Sequence, residues 1–142
     1  MPIFSQLSKT KLATCHIDLQ VLFNEVVKYY DCTVVCGYRG EGEQTEAWVK
    51  GNSQLKWPNS KHNSTPSNAV DVVPFEKSGV DYGKMQSAFF AGMVKGIAIE
   101  LKRKGTITHD IRIGLDWNGN NDVDDTKFWD ACHFEIINTD IN

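Results

Sequence analysis

The sequence predicts a single α+β domain, in which helices pack on one small, mainly antiparallel sheet. Its 142 residues suffice for one domain and are too few for two ordinary ones. Hydrophobic residues make up 41% and charged residues 23%, which is typical of a folded globular chain and excludes wholesale disorder. Two long stretches have helical apolar spacing, four short ones are typical of strands, and the two types are mixed along the chain.

The helices are predicted from the spacing of apolar residues. Residues 8–30 and 82–104 are the two long amphipathic stretches, and Ser8 is placed to cap the first turn of the earlier one. A short helix is predicted over residues 43–50, ended by Gly51. The apolar positions that carry the two long helices are Leu12, Leu19, Phe23, Val26 and Tyr30, then Met85, Phe89, Met93, Ile97 and Leu101.

The strands are predicted from short β-branched or alternating stretches. Residues 32–38 (CTVVCGY) and 69–74 (AVDVVP) are of the first kind, and we expect Pro74 to end its strand because proline cannot continue a ladder. Residues 110–115 (DIRIGL) alternate polar and apolar side chains, and residues 133–137 (HFEII) close the sheet. Polar loops are predicted over residues 51–68 and 116–127.

Charge and hydropathy exclude several functions. The chain has 15 Lys+Arg and 18 Asp+Glu, a formal net charge of −3, which argues against a dedicated nucleic-acid binder. No window approaches the ~20 apolar residues of a membrane span, so we expect no membrane insertion. The first 20 residues lack the order of charged, apolar and small segments that marks a secretion signal. We therefore expect no signal peptide and a cytoplasmic product.

The cysteines predict neither a disulfide scaffold nor a zinc ribbon. Four of them are spread along the chain, and the closest pair is not a C-x-x-C motif. We expect all four to be reduced and mostly buried. They are Cys15, Cys32, Cys36 and Cys132.

Two histidines and one aspartate form a candidate metal site. His62 ends the long loop, Asp71 lies in the next strand, and His133 begins the last one. Two imidazoles and one carboxylate are sufficient ligands for Zn²⁺ and leave a fourth position for water, the pattern of a catalytic site. The residues alone leave the alternative open, a hydrogen-bonded core carboxylate with an ordinary loop histidine and strand-end histidine.

The local motifs around these three residues resemble a known superfamily. S-K-H at residues 60–62, A-V-D-V-V-P at 69–74 and D-x-x-H-F-E at 130–135 resemble the zinc peptidases of the D-Ala-D-Ala carboxypeptidase superfamily. Within it, the sequence is most similar to phage endolysins of the L-alanyl-D-glutamate peptidase type. G-Y-R and E-x-x-Q within residues 37–44 and G-L-D-W at 114–117 agree in order, so the resemblance covers roughly residues 8 to 138.

The resemblance implies a fold and a set of site residues. It implies a hedgehog/D-Ala-D-Ala peptidase-like fold and one Zn²⁺ per chain, held by His62, Asp71 and His133. It also implies that Asp130 is the general base or acid. Arg39 would stabilise the oxyanion or bind a substrate carboxylate. The residues themselves leave simpler roles open, because Asp130 could be a turn carboxylate and Arg39 a surface arginine paired with an acidic neighbour, Glu41 or Glu43.

Further residues are expected close to the ligands. Ser60 precedes His62 by two positions, and Glu135 follows His133 by two, so on a strand Glu135 faces the same side as His133. We expect either residue to orient a ligand or to contact substrate, although Glu135 could equally be an exposed edge residue. Trp129 or Tyr38 would line the peptide groove, unless they belong to the core.

The implied function is a zinc-dependent endopeptidase that cleaves the stem peptide of bacterial peptidoglycan, with the L-Ala–D-Glu bond favoured. As a phage endolysin it would act in host lysis as a monomer, without nucleic acid. It would stay in the host cytoplasm until a holin releases it to the periplasm and cell wall. Residues 1–142 would form one zinc peptidase domain with no separate wall-binding domain, which favours a Gram-negative host. Two alternatives stay open: a D-Ala-D-Ala carboxypeptidase or dipeptidase, and a zinc-retaining, non-catalytic wall-binding module.

Two features depart from the family pattern. Eight residues separate His62 from Asp71, where many members have six, so we expect a different rim of the cleft from that of those members. The polar loop places oxygen-bearing residues at the 1, 3, 5, 7 spacing of a calcium loop, but Asn121 and Lys127 stand at its sixth and twelfth positions, which excludes an EF-hand. A looser Ca²⁺ site and a solvated polar turn both remain open. The four residues are Asp116, Asn118, Asn120 and Asp122.

Overall fold

A computed structural model describes residues 1–76, 79–80 and 83–138 of the chain. In this described part, the helices are α1 (Gln6–Leu12), α2 (Ile17–Val26), α3 (Glu41–Val49) and α4 (Lys84–Arg103), with a 3₁₀ turn at Lys61–Asn63. The strands are β1 (Cys32–Cys36), β2 (Ala69–Glu76), β3 (Gly79–Val80), β4 (Asp110–Ile113) and β5 (His133–Ile137). The predicted α+β class is confirmed. No helix in the described ranges has the length and apolar character needed to cross a bilayer.

The sheet brings distant parts of the chain side by side. Its strands are all antiparallel and run in the order β1-β2-β5-β4, with β3 paired to the end of β2. In this register Asp71 of β2 lies opposite His133 of β5 and next to Cys36 of β1. The topology therefore places two of the three predicted metal ligands on neighbouring strands, although they are 62 positions apart in sequence.

The core lies between one face of the sheet and the helices α2 and α4. Phe134 of β5 contacts Phe23 of α2 and Phe90 of α4 edge to face, with ring centroids 5.2 and 6.1 Å apart. All three aromatic rings are fully buried. Because side chains alternate along a strand, Phe134 turns into this core while His133 and Glu135 face the opposite side of the sheet. The core thus holds β5 rigidly and leaves its other face for chemistry.

The prediction of one helix over residues 8–30 is wrong. Two helices, α1 and α2, are separated by a turn in which Cys15 forms an isolated bridge with Ser67. Ser5, rather than Ser8, caps α1 by accepting the N–H of Ser8, and the imidazole of His16 caps α2 by accepting the N–H of Asp18. Leu12 and Leu19, on either side of the break, are seven positions apart. A continuous helix has the same spacing, so the apolar pattern could not indicate the turn.

The prediction that Pro74 ends its strand is also wrong, because β2 continues to Glu76. The N–H of Phe75 donates to Asp31 O on the β1 side at 2.9 Å. Successive backbone N–H groups point to opposite sides of a strand, so the nitrogen of Pro74 faces away from β1. On that side β5 pairs with β2 only over residues 69–71. Within the described ranges, the missing proline N–H therefore costs no hydrogen bond to β1 or β5.

Other boundaries differ by a few residues. The strand predicted over residues 32–38 ends at Cys36, where a bulge shifts the β1–β2 register next to Asp71. The short helix spans Glu41–Val49 rather than residues 43–50. The strand predicted over 110–115 ends at Ile113, and β5 has the predicted bounds. The long second helix is confirmed as α4, and residue 82 of the prediction lies outside the described residues.

Candidate metal centre and active site

His62 is held in a short, heavily hydrogen-bonded turn. The hydroxyl of Ser60 accepts the N–H of His62 at 3.2 Å, and the side-chain oxygen of Asn63 accepts the N–H of Ser60 at 3.0 Å, a reciprocal cap. The His62 side chain is 2% exposed. Ser60, predicted to lie near the ligands, therefore acts on the backbone of this turn.

Gly37 fixes the orientation of the His62 ring. Its carbonyl oxygen lies 2.8 Å from His62 Nδ1, so that nitrogen carries the proton and Nε2 points into the cleft. A Cβ at this position would collide with Thr14 Oγ1 and Lys11 O, at the end of α1. Only glycine allows the strand exit to pass this close to the helix, and the β1 bulge just before it brings the carbonyl to the imidazole.

Both predicted histidines face one oxygen atom of Asp71. His62 Nε2 lies 3.2 Å from Asp71 Oδ1, and His133 Nδ1 lies 3.3 Å from the same atom. The two rings meet edge to face with centroids 5.2 Å apart. The structure thus brings together the three side chains that the sequence analysis nominated as metal ligands.

The Nε2 atom of His133 is hydrogen-bonded as well. Nε2 lies 2.8 Å from Glu135 Oε1, which leaves Nδ1 as the nitrogen that faces Asp71. Glu135 is 5% exposed and lies on β5 between two other strands, so the alternative of an exposed edge residue is wrong. Its other oxygen, Oε2, lies 2.7 Å from Arg112 Nη2 and 3.2 Å from Lys61 Nζ. A carboxylate behind a histidine ligand is a common support of metal sites.

The electrostatics of this group suit a divalent cation. Burial opposes the charged form of both imidazoles, but the Asp71 carboxylate outweighs it and raises the pKa of His62 to about 10 and that of His133 to about 9. Burial also opposes ionisation of Asp71, but the two imidazoles hold its pKa below the ordinary value. Two protonated imidazoles supply the same positive charge as one divalent ion between neutral rings, so a metal would replace the two protons.

The distances fit zinc as well. Two ligand atoms bound at ~2.0–2.1 Å in tetrahedral geometry are roughly 3.3 Å apart. The two nitrogen–oxygen distances to Asp71 Oδ1 are 3.2 and 3.3 Å. Each histidine is therefore spaced from Asp71 as two ligands of one Zn²⁺ would be, and the charge of the group suits a divalent ion.

Asp130 approaches the same centre from the loop before β5. Its Oδ2 lies 3.9 Å from His133 Nδ1, and its Oδ1 accepts a hydrogen bond from Cys132 Sγ at 3.6 Å. Burial and the nearby Asp71 carboxylate raise the pKa of Asp130. The backbone N–H of Asp130 donates to Gly114 O at 3.0 Å, and a Cβ at Gly114 would collide with Asp130 O. Glycine at 114 is thus required for the position of Asp130.

Arg39 points inward to the centre. Its Nη2 lies 3.3 Å from Asp71 Oδ2 and its Nη1 donates to Gln44 Oε1 at 3.1 Å. The simpler alternative, a surface arginine paired with Glu41 or Glu43, is therefore wrong. Gln44 is fully buried and also accepts a hydrogen bond from Asn63 Nδ2 at 3.1 Å, so it ties Arg39 to the His62 turn.

Sequence reasoning missed three residues of this centre. Gln44 was marked only by its place in the E-x-x-Q motif, and Arg112 lay in an alternating strand with nothing else to distinguish it. Cys36 was expected to be an ordinary buried cysteine. Among the described residues, the sets within 4.8 Å that include Asp71 are Cys36 with His62 and Asp130 with His133. The predicted ligand triplet is not itself one of these compact sets; it takes His62 from one and His133 from the other, with Asp71 common to both.

A cleft of about 850 Å³ opens over the centre. The carboxylates and imidazoles form its floor, and the segment after α3 forms one wall. Trp117, Phe128 and Trp129 line the other wall, and the Trp117 ring lies 5.3 Å from the ring of His133. Of the two aromatic residues proposed for the groove, Trp129 lines the described cleft and Tyr38 does not. Its size and mixture of aromatic and charged side chains suit an extended peptide.

In the candidate calcium loop, the side-chain oxygens that would bind the ion already accept hydrogen bonds from the loop's own backbone. Asp116 is 2% exposed, its Oδ1 accepts the N–H of Asn120, and its Oδ2 accepts the N–H of Asn121 at 2.9 Å. The ammonium of Lys95 lies 3.2 Å from Asp116 Oδ2, where a cation would need to bind. Asn118 Oδ1 accepts the N–H of Asn120, whose own Oδ1 accepts the N–H of Asp122. This arrangement favours the polar turn over the Ca²⁺ site.

Comparisons with known proteins agree with this geometry. The family described as phage L-alanyl-D-glutamate peptidase matches residues 2–137. Among solved structures, the L-Ala D-Glu endopeptidase ChiX of Serratia marcescens superposes with a TM-score of 0.71 and 24% sequence identity, over 96% of this chain and 91% of that one. This likeness shows a shared fold. No curated protein matches the sequence.

Proposed function

Because the chain belongs to the phage L-alanyl-D-glutamate peptidase family, we propose that its cleft hydrolyses the L-Ala–D-Glu bond of the peptidoglycan stem peptide with the help of one zinc ion. The chain is a peptidoglycan endopeptidase by family. The proposal adds the metal, its ligands and the part that each side chain plays.

The ligands we propose are His62 through Nε2, His133 through Nδ1 and the carboxylate of Asp71. The nitrogen that each histidine offers is decided by its other nitrogen, which is bonded to Gly37 O in one case and to Glu135 Oε1 in the other. A bound zinc ion would supply Lewis acidity, which acidifies water and polarises a carbonyl oxygen. Three protein ligands leave room for that chemistry, as in other catalytic zinc sites.

Asp130 is the residue that we propose moves the proton. Its carboxylate lies beside the ligand set, 3.9 Å from His133 Nδ1, and 26% of its side chain is exposed to the cleft. From there it can accept the proton of the attacking water and return it to the nitrogen of the leaving amine.

Arg39 is placed to neutralise negative charge on the substrate. Its guanidinium is already oriented by Asp71 and Gln44, so no reorganisation is needed when charge develops on the scissile carbonyl oxygen. The same group could alternatively bind the carboxylate that neighbours the scissile bond. Either role uses a fixed cation next to the metal ligands.

The observation that carries the proposal is the convergence of two imidazoles on Asp71 Oδ1, at 3.2 and 3.3 Å, with Asp130 next to them. In the cell we propose that the enzyme acts on the wall after a holin gives it access. We propose that it acts there as a monomer, without nucleic acid and without insertion into a membrane.

The test is digestion of purified peptidoglycan followed by mass spectrometry of the released muropeptides. Wild type should separate L-Ala from D-Glu and expose a new amino group on D-Glu. Asp130→Asn should retain bound zinc while its rate falls about 10²–10⁴-fold, because only the proton transfer is removed. Asp122→Asn, in the polar loop, is the matched control and should digest at the wild-type rate.

Other products would contradict the proposal. Loss of terminal D-Ala, with the L-Ala–D-Glu bond intact, would identify a carboxypeptidase. Zinc-loaded wild type that binds the wall and releases no fragment would identify a binding module. Full activity of Asp130→Asn would show that another group moves the proton.

A further inference from the structure

We propose that Arg112 is a positioning residue of the metal centre, which acts through Glu135 to hold His133 in the orientation that binds metal. The contacts form one line from β4 to the cleft. Arg112 Nη2 lies 2.7 Å from Glu135 Oε2, and Glu135 Oε1 lies 2.8 Å from His133 Nε2. The inference rests on the proposed zinc ligands and adds a residue that is not itself a ligand, although it also lines the cleft.

The two oxygens of Glu135 have separate tasks. Oε2 is bound by cations from two other elements, Arg112 on β4 and Lys61 beside His62. A carboxylate is flat, so fixing Oε2 also fixes the direction of Oε1. That direction is toward His133 Nε2, which is thereby kept as the protonated nitrogen while Nδ1 faces Asp71. Without the cations, Glu135 could rotate and release the ring.

Arg112 is better suited to this task than Lys61. It lies directly opposite Glu135 in the β4–β5 register, so the sheet itself sets the distance between the two side chains. Its guanidinium also lies 6.0 Å from the Trp117 ring, which in turn lies against His133. Lys61 reaches Glu135 from a loop, and 38% of its side chain is exposed. A rigid planar donor restrains a carboxylate more tightly than a flexible ammonium.

The guanidinium of Arg112 is only partly hydrogen-bonded. Within the described part of the chain, its buried Nε has no hydrogen-bond partner. An unsatisfied buried donor of this kind destabilises the folded state. Its Nη2, by contrast, donates a hydrogen bond to Glu135 Oε2. Removing the guanidinium should therefore affect the metal centre more than the folded state.

The experiment measures zinc affinity by competition with a coloured chelator, and the melting temperature of the metal-free protein. Arg112→Met removes the donor and keeps an unbranched apolar side chain. We expect its zinc affinity to fall about 10–100-fold, the usual effect of losing an outer partner of a ligand. Arg112→Lys should recover part of the loss, because an ammonium can still donate to Glu135 Oε2.

A second readout reports on the ring itself. In zinc-loaded protein with ¹⁵N-labelled histidine, His133 Nε2–H should give a slowly exchanging, downfield proton signal. This signal should broaden or disappear in Arg112→Met, because its acceptor is no longer held in place. The matched control is Arg103→Met, which removes an exposed arginine paired with Glu100 at the end of α4. Both readouts should stay at their wild-type values in that variant.

Three outcomes would overturn the inference. In the first, Arg112→Met binds zinc within twofold of wild type. In the second, its affinity falls but the His133 signal is unchanged. In the third, the metal-free melting temperature falls in Arg112→Met and Arg112→Lys alike, which would indicate general damage. Failure of the proposed function is distinguishable, because wild type itself would then bind no zinc at this site.

Discussion

His62 and His133 reach the same carboxylate oxygen through different ring nitrogens. His62 presents Nε2 and His133 presents Nδ1 to Asp71 Oδ1, and the remaining nitrogen of each ring is held by a backbone carbonyl or by Glu135. The two rings come from unrelated supports, a 3₁₀ turn and a central strand. The metal geometry therefore depends on how the turn packs against the sheet.

Removal of either histidine should abolish zinc binding. Wild type, after dialysis, should retain about one zinc per chain by elemental analysis. His62→Ala and His133→Ala should each retain far less, because two remaining ligands rarely hold zinc. Cys36→Ser is the critical control, since Cys36 Sγ lies 4.0 Å from His62 Nδ1. Zinc kept in Cys36→Ser and lost in His133→Ala would support our ligand set, and the reverse pattern would replace His133 by Cys36.

Gly114→Ala should impair catalysis without removing the metal. The new Cβ would collide with Asp130 O and shift the Asp130 carboxylate. We expect destabilisation of about 1–3 kcal/mol from overpacking and a rate loss of about 100-fold from misplacement. Gly96→Ala is the matched control, because its Cβ would meet nothing within 4 Å. It lies inside α4 and should stabilise the protein by up to about 1 kcal/mol. Wild-type activity in Gly114→Ala would contradict this role.

Acid stability should depend on Asp18, which lies away from the cleft. Its Oδ2 accepts hydrogen bonds from Thr108 N, His109 N and His109 Nδ1, at 3.0, 3.0 and 2.7 Å, which tie α2 to the segment before β4. Burial alone would raise the pKa of Asp18, but these hydrogen bonds outweigh it and lower the pKa below 3.8. A carboxyl whose pKa is lower in the folded state stabilises the fold above its unfolded pKa of ~3.9 and loses that contribution as the pH falls through the folded value.

Asp18→Asn should therefore lower the melting temperature most above about pH 5, and the difference from wild type should shrink below about pH 4. Loss of a charge-assisted acceptor with several donors typically costs about 1.5–3 kcal/mol. Thermal melts between pH 2.5 and 7 would check this. A difference between the two proteins that stays constant over that range would mean that the Asp18 charge is unimportant.

Calcium should not stabilise the protein. The carboxylate of Asp116 already accepts two backbone N–H groups and the ammonium of Lys95. A ligand that binds only the folded state raises the melting temperature with its concentration. We expect no such rise between zero and several millimolar Ca²⁺ in zinc-loaded protein. A rise that Asp116→Asn abolishes would restore the calcium loop.

The secondary structure was predictable where local pattern and tertiary context agree. β5 was predicted with its observed bounds, because β-branched and aromatic residues follow a loop directly. The α1–α2 break was missed, because it is imposed by the contact of Cys15 with Ser67, which lies 52 positions later in the sequence. The end of β2 was wrongly placed at Pro74, because the sequence does not show that β5 pairs with β2 only as far as residue 71.

By itself, the sequence determined the fold class, the order of the motifs and the residue types that can bind zinc and move a proton. These follow from side-chain chemistry and from the spacing of apolar residues over short stretches, and both can be read directly from the sequence. Only the tertiary structure decided which nitrogen each histidine offers, that Arg39 turns inward and that Arg112 stands behind Glu135. Those contacts join residues far apart in sequence, and their geometry is set by strand register and by close backbone approaches at Gly37 and Gly114.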